Sequence, residues 1–596
     1  MSDFAIGIDL GTTNSALAYA PLGDEQASVE ILPVPQLVAP ATLEPRPLLP
    51  SFLYLATEAE RASKAFDLPW GKGRDFAVGE IARLQSAAVP TRTVVAAKSW
   101  LSQSQFDRHQ ALLPFGAPSE APKVSPVEAS RRYLQHLVDA WQQAMPKSPI
   151  AKQKVVVTVP ASFDAAAREL TREAAIAAGL PENLVLLEEP QAAAYSWLAD
   201  AGERWRRQLA VGEVLLVCDV GGGTTDFTLI RVREEAGELF LERVAVGNHV
   251  LVGGDNMDLA LAHHMTEAFQ AKGAALDPWQ SVSLWHACRA AKESLLVADG
   301  PKKHPVSILG RSSKLVGGTI TAELDRKAAT NLLADGFFPT CSIDDRPQRR
   351  RSSGFRQLGL PYESDTAITR HLAEFLAANG DAPGQPIRPT HVLFNGGVFK
   401  ALALRERLVD VLGGWFGKAG APRGLEGNHD LDLAVARGAA YYAAVKQGRG
   451  VRIRGGTARS YYVGIESAGL AIPGAERPLH AVCVAPFGME EGTETDVPGD
   501  EIGLIVGEPA RFRFFSSATR KADTPGTNLR SWNDTELAET DSLEATLPRD
   551  EALTDAYVPV RFHAKITELG VFELWCVSTV SDHRWKLEFS VRDDAE

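Results

Sequence analysis

Two distant segments of the chain share one pattern. Residues 6–19 read IGIDLGTTNSALAY, and residues 217–230 read VCDVGGGTTDFTLI. Each begins with an apolar stretch, continues through an aspartate and a glycine turn with paired threonines, and ends in a second alternating stretch, which predicts a β-hairpin. An internal repeat of this kind constrains the fold strongly, because it predicts two related halves whose turns can face one another.

These glycine turns differ from a P-loop or a dinucleotide-binding turn, in which the glycine loop opens a helix. The signature G-x-x-x-x-G-K-[ST] is absent from the sequence. Small residues in a hairpin turn leave backbone N–H groups uncovered, and such turns bind anions. Two facing turns would therefore hold a polyphosphate from both sides. Asp9, Asp219 and Asp226 would then be placed to hold a hydrated Mg²⁺, which prefers oxygen ligands.

Composition excludes several classes of partner. The 596 residues carry a net charge of −13, whereas nucleic acids and anionic membranes bind proteins with excess Lys and Arg. The five cysteines are widely spaced without a C-x-x-C motif, which predicts reduced thiols rather than disulfides or a zinc site. With no signal-like or membrane-spanning run, the cytoplasm is the expected location.

Six segments occur in an order that resembles the nucleotide-binding domain of the heat-shock protein 70 family, the DnaK-type chaperones. They are IGIDLGTTNS, VVVTVPASFDAAARELTREAAIAAGL, LLEEPQAAAYSW, DVGGGTTDFTLI, VGGDNMD and VLFNGGVF. The resemblance covers residues 1–445 and implies a two-lobed α/β, actin-like ATPase domain of duplicated ribonuclease-H-like cores, with nucleotide between the lobes. The repeat alone leaves a chaperone, an actin-like filament protein and a sugar kinase open.

The resemblance also implies roles for single residues. The catalytic set is Lys98, Glu189, Asp219, Thr224 and Asp226. Lys98 resembles the lysine that reaches the γ-phosphate and the attacking water, and the acids resemble those that order metal and water. The nucleotide-binding set is Asp9, Gly11, Thr12, Thr13, Asn14, Gly221, Gly222, Gly223, Gly254, Lys292, Gly396, Gly397, Lys400 and Asp432. Asp9 and Asp219 would hold Mg²⁺ through water. Glu188, one position off the family pattern, is expected to be ordinary surface charge.

The adenosine side departs from the family. The segment LWHACRAAKESLL resembles the helix that presents Glu, Lys, Arg and Ser to ribose and adenine. Here those places hold Arg289, Lys292, Glu293 and Leu296. Lys400 also replaces an arginine that packs on the adenine, while Asp432 still matches a position near the base. Losing a stacked guanidinium removes about 0.5–2 kcal/mol, so weaker base recognition is expected.

The last quarter of the chain changes character. Short alternating stretches, among them SYYVGIE, VPVRFHAKI, VFELWCVS and WKLEFSV, predict antiparallel strands. SYYVGIE resembles the entry to the family's substrate-binding β-sandwich, and GRGVRIRGG replaces the apolar linker. We expect a sandwich-like domain without the family's helical lid. The predicted domains are 1–445, with an insertion near 340–365 that carries Arg349 to Arg351, then a linker at 446–456 and a β-rich domain at 457–596.

These features predict an ATP-dependent chaperone-like protein that hydrolyses Mg·ATP slowly and binds unfolded or extended polypeptide. Pro160 and Arg168 match family positions that relay the nucleotide state to the linker. J-domain and nucleotide-exchange co-chaperones are implied partners, although the altered linker argues against them. The alternatives are a nucleotide-switched binding scaffold with little turnover and a small-molecule kinase of the actin and sugar-kinase superfamily.

Overall fold

The structure is a computed structural model that divides into two compact units. The first unit comprises Met1–Phe240 and Val246–Arg452, and the second comprises Leu241–Ala245 and Ile453–Glu596. The described residues are 2–23, 28–103, 106–161, 163, 165–247, 250–272, 276–309, 319–348, 364–380, 382, 384–425, 430–448, 450–457, 459–466, 478–490, 492–517, 520, 522–533, 536–539, 543–548, 557–567 and 572–589.

Up to Arg452 the chain contains both strands and helices. The strands are β1 (Phe4–Leu10), β2 (Asn14–Pro21), β3 (Glu30–Ile31), β4 (Val34–Ala39), β5 (Thr42–Arg46), β6 (Leu49–Pro50), β7 (Leu53–Leu55), β8 (Phe76–Val78), β9 (Thr93–Val94), β10 (Lys154–Val159), β11 (Val185–Glu188), β12 (Val214–Val220), β13 (Thr225–Glu235), β14 (Glu238–Val246), β15 (Lys303–Leu309), β16 (Thr319–Asp325), β17 (His391–Asn395) and β18 (Arg423–Leu425). The helices are α1 (Glu58–Ala62), α2 (Glu80–Ala88), α3 (Ala97–Leu101), α4 (Pro126–Ala144), α5 (Ala165–Ala177), α6 (Glu189–Ala201), α7 (Trp205–Gln208), α8 (Gly254–Ala271), α9 (Pro278–Leu295), α10 (Arg326–Phe337), α11 (Ile368–Ala378), α12 (Leu402–Phe416) and α13 (Leu431–Val445).

The first unit contains two sheets with the same local plan. In one, the order is β11-β10-β1-β2-β3, with β1 and β2 antiparallel and β10 parallel to β1. In the other, β18, β17, β12 and β13 follow each other, with β12 and β13 antiparallel and β17 parallel to β12. Both predicted hairpins are therefore present, and each has a parallel strand beside its first strand.

A tight helix arrangement joins these sheets. The long helix α13 packs against α6 and β1, and its inward face consists largely of buried alanines such as Ala436 and Ala440. Small side chains let a helix approach a neighbouring backbone closely, as in other close helix crossings. Because α6 begins at Glu189 and β1 ends beside Asp9, this packing fixes two of the predicted site residues relative to one another.

The second unit, as far as the structure describes it, consists of strands. They are β19 (Ile453–Gly455), β20 (Ser460–Glu466), β21 (Leu479–Ala485), β22 (Glu494–Asp496), β23 (Ile502–Ile505), β24 (Pro509–Ser517), β25 (Asn528–Leu529), β26 (Ala538–Glu539), β27 (Leu543–Thr546), β28 (Tyr557–Ile566), β29 (Phe572–Ser578) and β30 (Arg584–Phe589). One sheet is built around β21-β20-β24 and another around β28-β29-β30. A shared apolar core includes Val463 and Phe514 from the first sheet and Val560 and Leu574 from the second.

Two predicted regions can be located relative to these elements. The predicted linker 446–456 contains β19, which pairs in parallel with β14 through Leu241 and Ile453. The predicted insertion near 340–365 lies between α10 and α11, and Arg349 to Arg351 fall outside the described residues. Among the helices of the described ranges, none has both the length and the apolar character needed to cross a bilayer.

Candidate active site

The two glycine turns lie against each other in the first unit. Turn one consists of Gly11–Thr13, between β1 and β2, and turn two consists of Gly221–Thr224, between β12 and β13. A Cβ atom added at Gly222 would overlap the Oγ1 atom of Thr13, so a side chain at this position would force the turns apart. The repeat thus brings two sets of backbone N–H groups together, as expected for a site that holds an anion.

Neighbouring segments hold each turn in place. Ser51, which follows β6, donates its backbone N–H to the carbonyl oxygen of Thr13 (2.9 Å) and its hydroxyl to that of Gly11 (2.7 Å). Two successive backbone N–H groups at the start of α8 donate to carbonyl oxygens of turn two. These pairs are Gly254 to Gly221 at 2.9 Å and Asp255 to Gly222 at 2.7 Å. Each turn is therefore fixed by a segment that is distant in sequence.

Three aspartates stand beside the turns. Asp219 on β12 lies directly opposite Asp226 on β13, and both side chains are buried. Burial raises the pKa of Asp9 to about 7, and the nearby Glu189 carboxylate adds to this shift. Burial likewise raises the pKa of Asp219 well above its usual value, with further contributions from Glu189 and Asp226. A nearby cation would stabilise the ionised form of these carboxylates and lower their pKa values again.

Two donors from neighbouring parallel strands reach these acids. Thr158 on β10 is in register with Asp9, and its Oγ1 donates to Asp9 Oδ1 at 3.1 Å. Asn395 ends β17 in register with Asp219, and its side chain hydrogen-bonds to that carboxylate. The sequence analysis missed both donors. A signal was available, since each is a polar residue at or near the end of an otherwise apolar strand.

One lysine is buried beside the acids. Lys98 lies on α3, is 4% exposed and forms an ion pair with Glu189, the first residue of α6. Its positive charge opposes the burial that raises the pKa of Asp9. The next residue, Ser99, was also missed by the sequence analysis. A Cβ atom added at Gly223 would lie 2.8 Å from Ser99 Oγ, so this hydroxyl adjoins turn two.

The segment after β17 contributes a second lysine. Lys400 forms ion pairs with Asp432 and, at 2.9 Å, with Asp430. Burial raises the pKa of Asp432, and Lys400 opposes that shift. Gly396 has φ of +86°, and a Cβ atom at this position would lie 2.8 Å from Asp219 Oδ1 and overlap the carbonyl that ends β12. Only glycine fits this close approach.

The two cations of α9 bind groups of the protein itself. Arg289 is buried, and its Nη2 and Nε atoms donate to Asp255 Oδ1 (2.5 Å) and Asp258 Oδ2 (2.9 Å). Lys292 Nζ lies 2.7 Å from Asp258 Oδ1 and donates to the carbonyl oxygen of Gly254 at 2.8 Å. Two side chains at positions that the family resemblance assigns to ribose and adenine thus bind residues in the first turns of α8 instead.

The remaining predicted residues follow from these elements. Thr12 lies in turn one and Asn14 begins β2, while Thr224 ends turn two. Gly397 lies beside Asp432, and a Cβ atom there would be 3.4 Å from Asp432 Oδ1. The predicted nucleotide and catalytic residues therefore gather where the two hairpins meet. Pro160 directly follows β10, and Arg168 lies on α5.

The prediction for Glu188 as ordinary surface charge is wrong. Glu188 is the last residue of β11, is 4% exposed and accepts a hydrogen bond from Arg168 Nη2 at 2.9 Å. Arg168 is equally buried and also donates to the carbonyl oxygens of Phe163 (2.9 Å) and Ala161 (3.3 Å). Arg168 on α5 thus reaches the end of this parallel strand and supplies the cationic partner that a buried acid needs.

A hydrated magnesium ion fits the acids. Within the described ranges, no group of three or more His, Cys, Asp or Glu side chains is placed to coordinate a metal directly. Asp9 and Asp219 are close enough for the charge of Asp9 to raise the pKa of Asp219. Mg²⁺ keeps several waters and contacts proteins through one or two carboxylates, so a water-mediated site at these two residues matches its chemistry.

Comparison with known proteins supports the same family. The family model described as Hsp70 protein matches residues 70–337. The chain is 33% identical over 311 residues to the chaperone protein HscA homolog of Pseudomonas fluorescens, which covers 49% of this chain and 42% of that protein. A homolog from Bordetella pertussis is 32% identical over 331 residues, covering 53% of this chain and 45% of its own length.

A third relative, the HscA homolog of Shewanella sp. strain MR-4, is 29% identical over 343 residues. The aligned part spans about half of this chain and 46% of that protein. The resemblance recognised in the motifs is thereby confirmed. An Hsp70 domain implies a two-lobed, actin-like ATPase fold, and the two mixed sheets with their helices fit it.

Proposed function

Because this chain is a relative of the Hsp70 chaperones, we propose that it is an ATP-dependent chaperone-like protein that hydrolyses Mg·ATP in its first unit. The ion pair between buried Lys98 and partly buried Glu189, beside the two turns, carries the proposal. A fixed positive charge, two sets of backbone donors and buried acids in one place are what phosphoryl transfer to water requires. The cytoplasm remains the proposed location.

Different residues of the site have different roles in the proposed hydrolysis. The N–H groups of turns one and two bind and orient the phosphates, so that the terminal phosphoryl group lies between the two hairpins. Lys98 stabilises the negative charge that develops on that group, and Glu189 holds Lys98 in place and orients the attacking water. Asp9 and Asp219 would hold Mg²⁺ through water, and the ion would supply charge neutralisation on the β- and γ-oxygens.

The second unit is the proposed polypeptide site. We assign residues 1–445 to nucleotide and 457–596 to a β-rich domain that binds unfolded or extended polypeptide, with J-domain and nucleotide-exchange proteins as candidate partners. Two apolar-cored sheets offer strand edges and side-chain pockets, which are the means by which extended peptides are recognised. Measuring ATP hydrolysis and peptide binding on the intact chain tests the proposal, and failure to bind Mg·ATP would refute it.

A nucleotide-switched scaffold with little turnover is the second candidate. It is favoured by the engagement of Arg289 and Lys292 with Asp255 and Asp258, which leaves fewer groups to fix the nucleoside. The rate of ATP hydrolysis relative to nucleotide exchange distinguishes the ATPase from the scaffold. Single-turnover hydrolysis slower than nucleotide exchange by several orders of magnitude would favour the scaffold.

Discrimination between ATP and GTP is expected to be weak. Lys400 is held between Asp430 and Asp432, and Lys292 is bound at the start of α8, so neither is free to stack on or select a base. The two affinities should differ by less than about a hundredfold, or about 2.7 kcal/mol. Competition titrations against a labelled nucleotide measure the difference, and a larger preference for ATP would show that other residues recognise the base.

Peptide exchange on the second unit is expected to be fast. The described residues of the second unit form strands, so we expect an extended segment bound along a sheet edge to lie open to solvent and to dissociate quickly. Release of a fluorescent unfolded peptide from the intact chain, followed after dilution into excess unlabelled peptide, measures this rate. Residence times of hours would contradict an open site.

A further inference from the structure

Arg289 connects the segments that hold the two phosphate turns. On one side, its Nη2 and Nε atoms bind Asp255 and Asp258 of α8. On the other side, its guanidinium lies 5.9 Å from the ring centroid of Phe52, in the segment between β6 and β7. Both Arg289 and Phe52 are buried, so these contacts are largely shielded from water.

Two of the residues that contact Arg289, Asp255 and Phe52, are linked to the turns. Asp255 donates its backbone N–H to Gly222 of turn two at 2.7 Å. Phe52 follows Ser51 directly in the chain, and Ser51 binds turn one through its backbone N–H and its hydroxyl. A continuous path therefore runs from turn one through Ser51, Phe52 and Arg289 to Asp255 and turn two.

We propose that Arg289 is a positioning residue that holds the two phosphate turns at their binding distance. The inference rests on the proposed nucleotide function but goes beyond it, because Arg289 acts through Phe52 and Asp255 without touching the nucleotide. Arg289 suits this task, since its planar guanidinium can donate to carboxylates through its edge while its face lies over an aromatic ring. A lysine would supply the charge without this geometry.

A probe without a base or a sugar separates this role from nucleoside recognition. Calorimetry with Mg·ATP and with Mg·tripolyphosphate on the intact chain is the measurement. Arg289→Gln is expected to weaken both ligands about tenfold, because the turns are shared by both. Weakening of Mg·ATP alone would assign Arg289 to the nucleoside, and no weakening of either ligand would remove its role; both outcomes overturn the proposal.

Two further variants distinguish positioning from general stability. Phe52→Leu keeps an apolar side chain but removes the aromatic face, and its effect should be less than additive with Arg289→Gln in a double-mutant cycle. Arg326→Gln is the matched control, because Arg326 donates to the carbonyl oxygens of Val297 and Gly300 after α9 without a contact to either turn. The control should leave the affinity for tripolyphosphate within about twofold of wild type. Strictly additive effects, or an equal loss in the control, would contradict positioning.

Hydrogen exchange on the unliganded protein tests the inference independently of any nucleotide. Arg289→Gln should speed exchange of the amides of Ser51 and Asp255, which bind turns one and two, while Arg326→Gln should not. Unchanged exchange at both amides would overturn the proposal. If wild-type protein bound neither ATP nor tripolyphosphate, the proposed function would fail, and the exchange result alone would decide the role of Arg289.

Discussion

Lys98→Ala is expected to lower single-turnover ATP hydrolysis at least about a hundredfold, because it removes the buried charge that stabilises the developing anion. The dissociation constant for Mg·ADP should rise less than about tenfold, since the backbone donors of both turns remain. Rapid-quench hydrolysis and calorimetry on the same preparations measure the two quantities. A large loss of hydrolysis with a small loss of Mg·ADP affinity is the result that would identify Lys98 as a residue of the chemical step.

Glu189→Gln and Lys72→Ala complete this experiment. The first removes the charge of the acid paired with Lys98 and should also reduce hydrolysis, whereas the second removes an exposed lysine and should change neither quantity. Wild-type turnover in Lys98→Ala would remove this lysine from the mechanism. Equal losses of hydrolysis and ADP binding would instead place Lys98 in ground-state binding.

The sequence predicted those parts of the molecule that depend on local pattern. Asp9 and Asp219 each follow an apolar strand and precede a glycine turn, so the hairpins could be predicted from periodicity and turn residues. The strand at Tyr557–Ile566 was predicted at Val558–Ile566 by the same alternation. Such features need only neighbours along the chain.

The rest depends on contacts between distant segments. Glu188 resembles a surface charge in the sequence, and only the folded chain brings Arg168 of α5 against it. The link between Arg289 and Phe52 likewise joins residues from two separate parts of the first unit. The sequence position of a charged residue does not indicate which distant residue it will contact. Buried contacts such as Arg168–Glu188 can therefore be identified only when the fold is known.

Arg168→Ala is expected to lower the free energy of unfolding of the first unit by about 3–5 kcal/mol, because it removes a cation from the buried Glu188. Arg168→Ala combined with Glu188→Ala should recover a large part of that loss, since no buried acid then remains at this place. Arg172→Ala is the matched control on the same helix. Its ion pair with Glu169 lies at the surface, with Arg172 partly and Glu169 largely exposed, so a change below about 1 kcal/mol is expected in chemical denaturation.

The double variant Arg168→Ala, Glu188→Ala, which should be more stable than Arg168→Ala alone, then tests the proposed relay through Arg168 and Pro160. If Arg168 transmits the nucleotide state, peptide release from wild type should depend on whether ATP or ADP is bound, and this dependence should be lost in the double variant. A ligand shifts a conformational balance only when it prefers one state, so the ratio of the two release rates reports the coupling directly. Wild-type release that is independent of nucleotide would mean that the ATPase and the β-domain are uncoupled. A double variant that keeps the full ratio would place the relay in other residues.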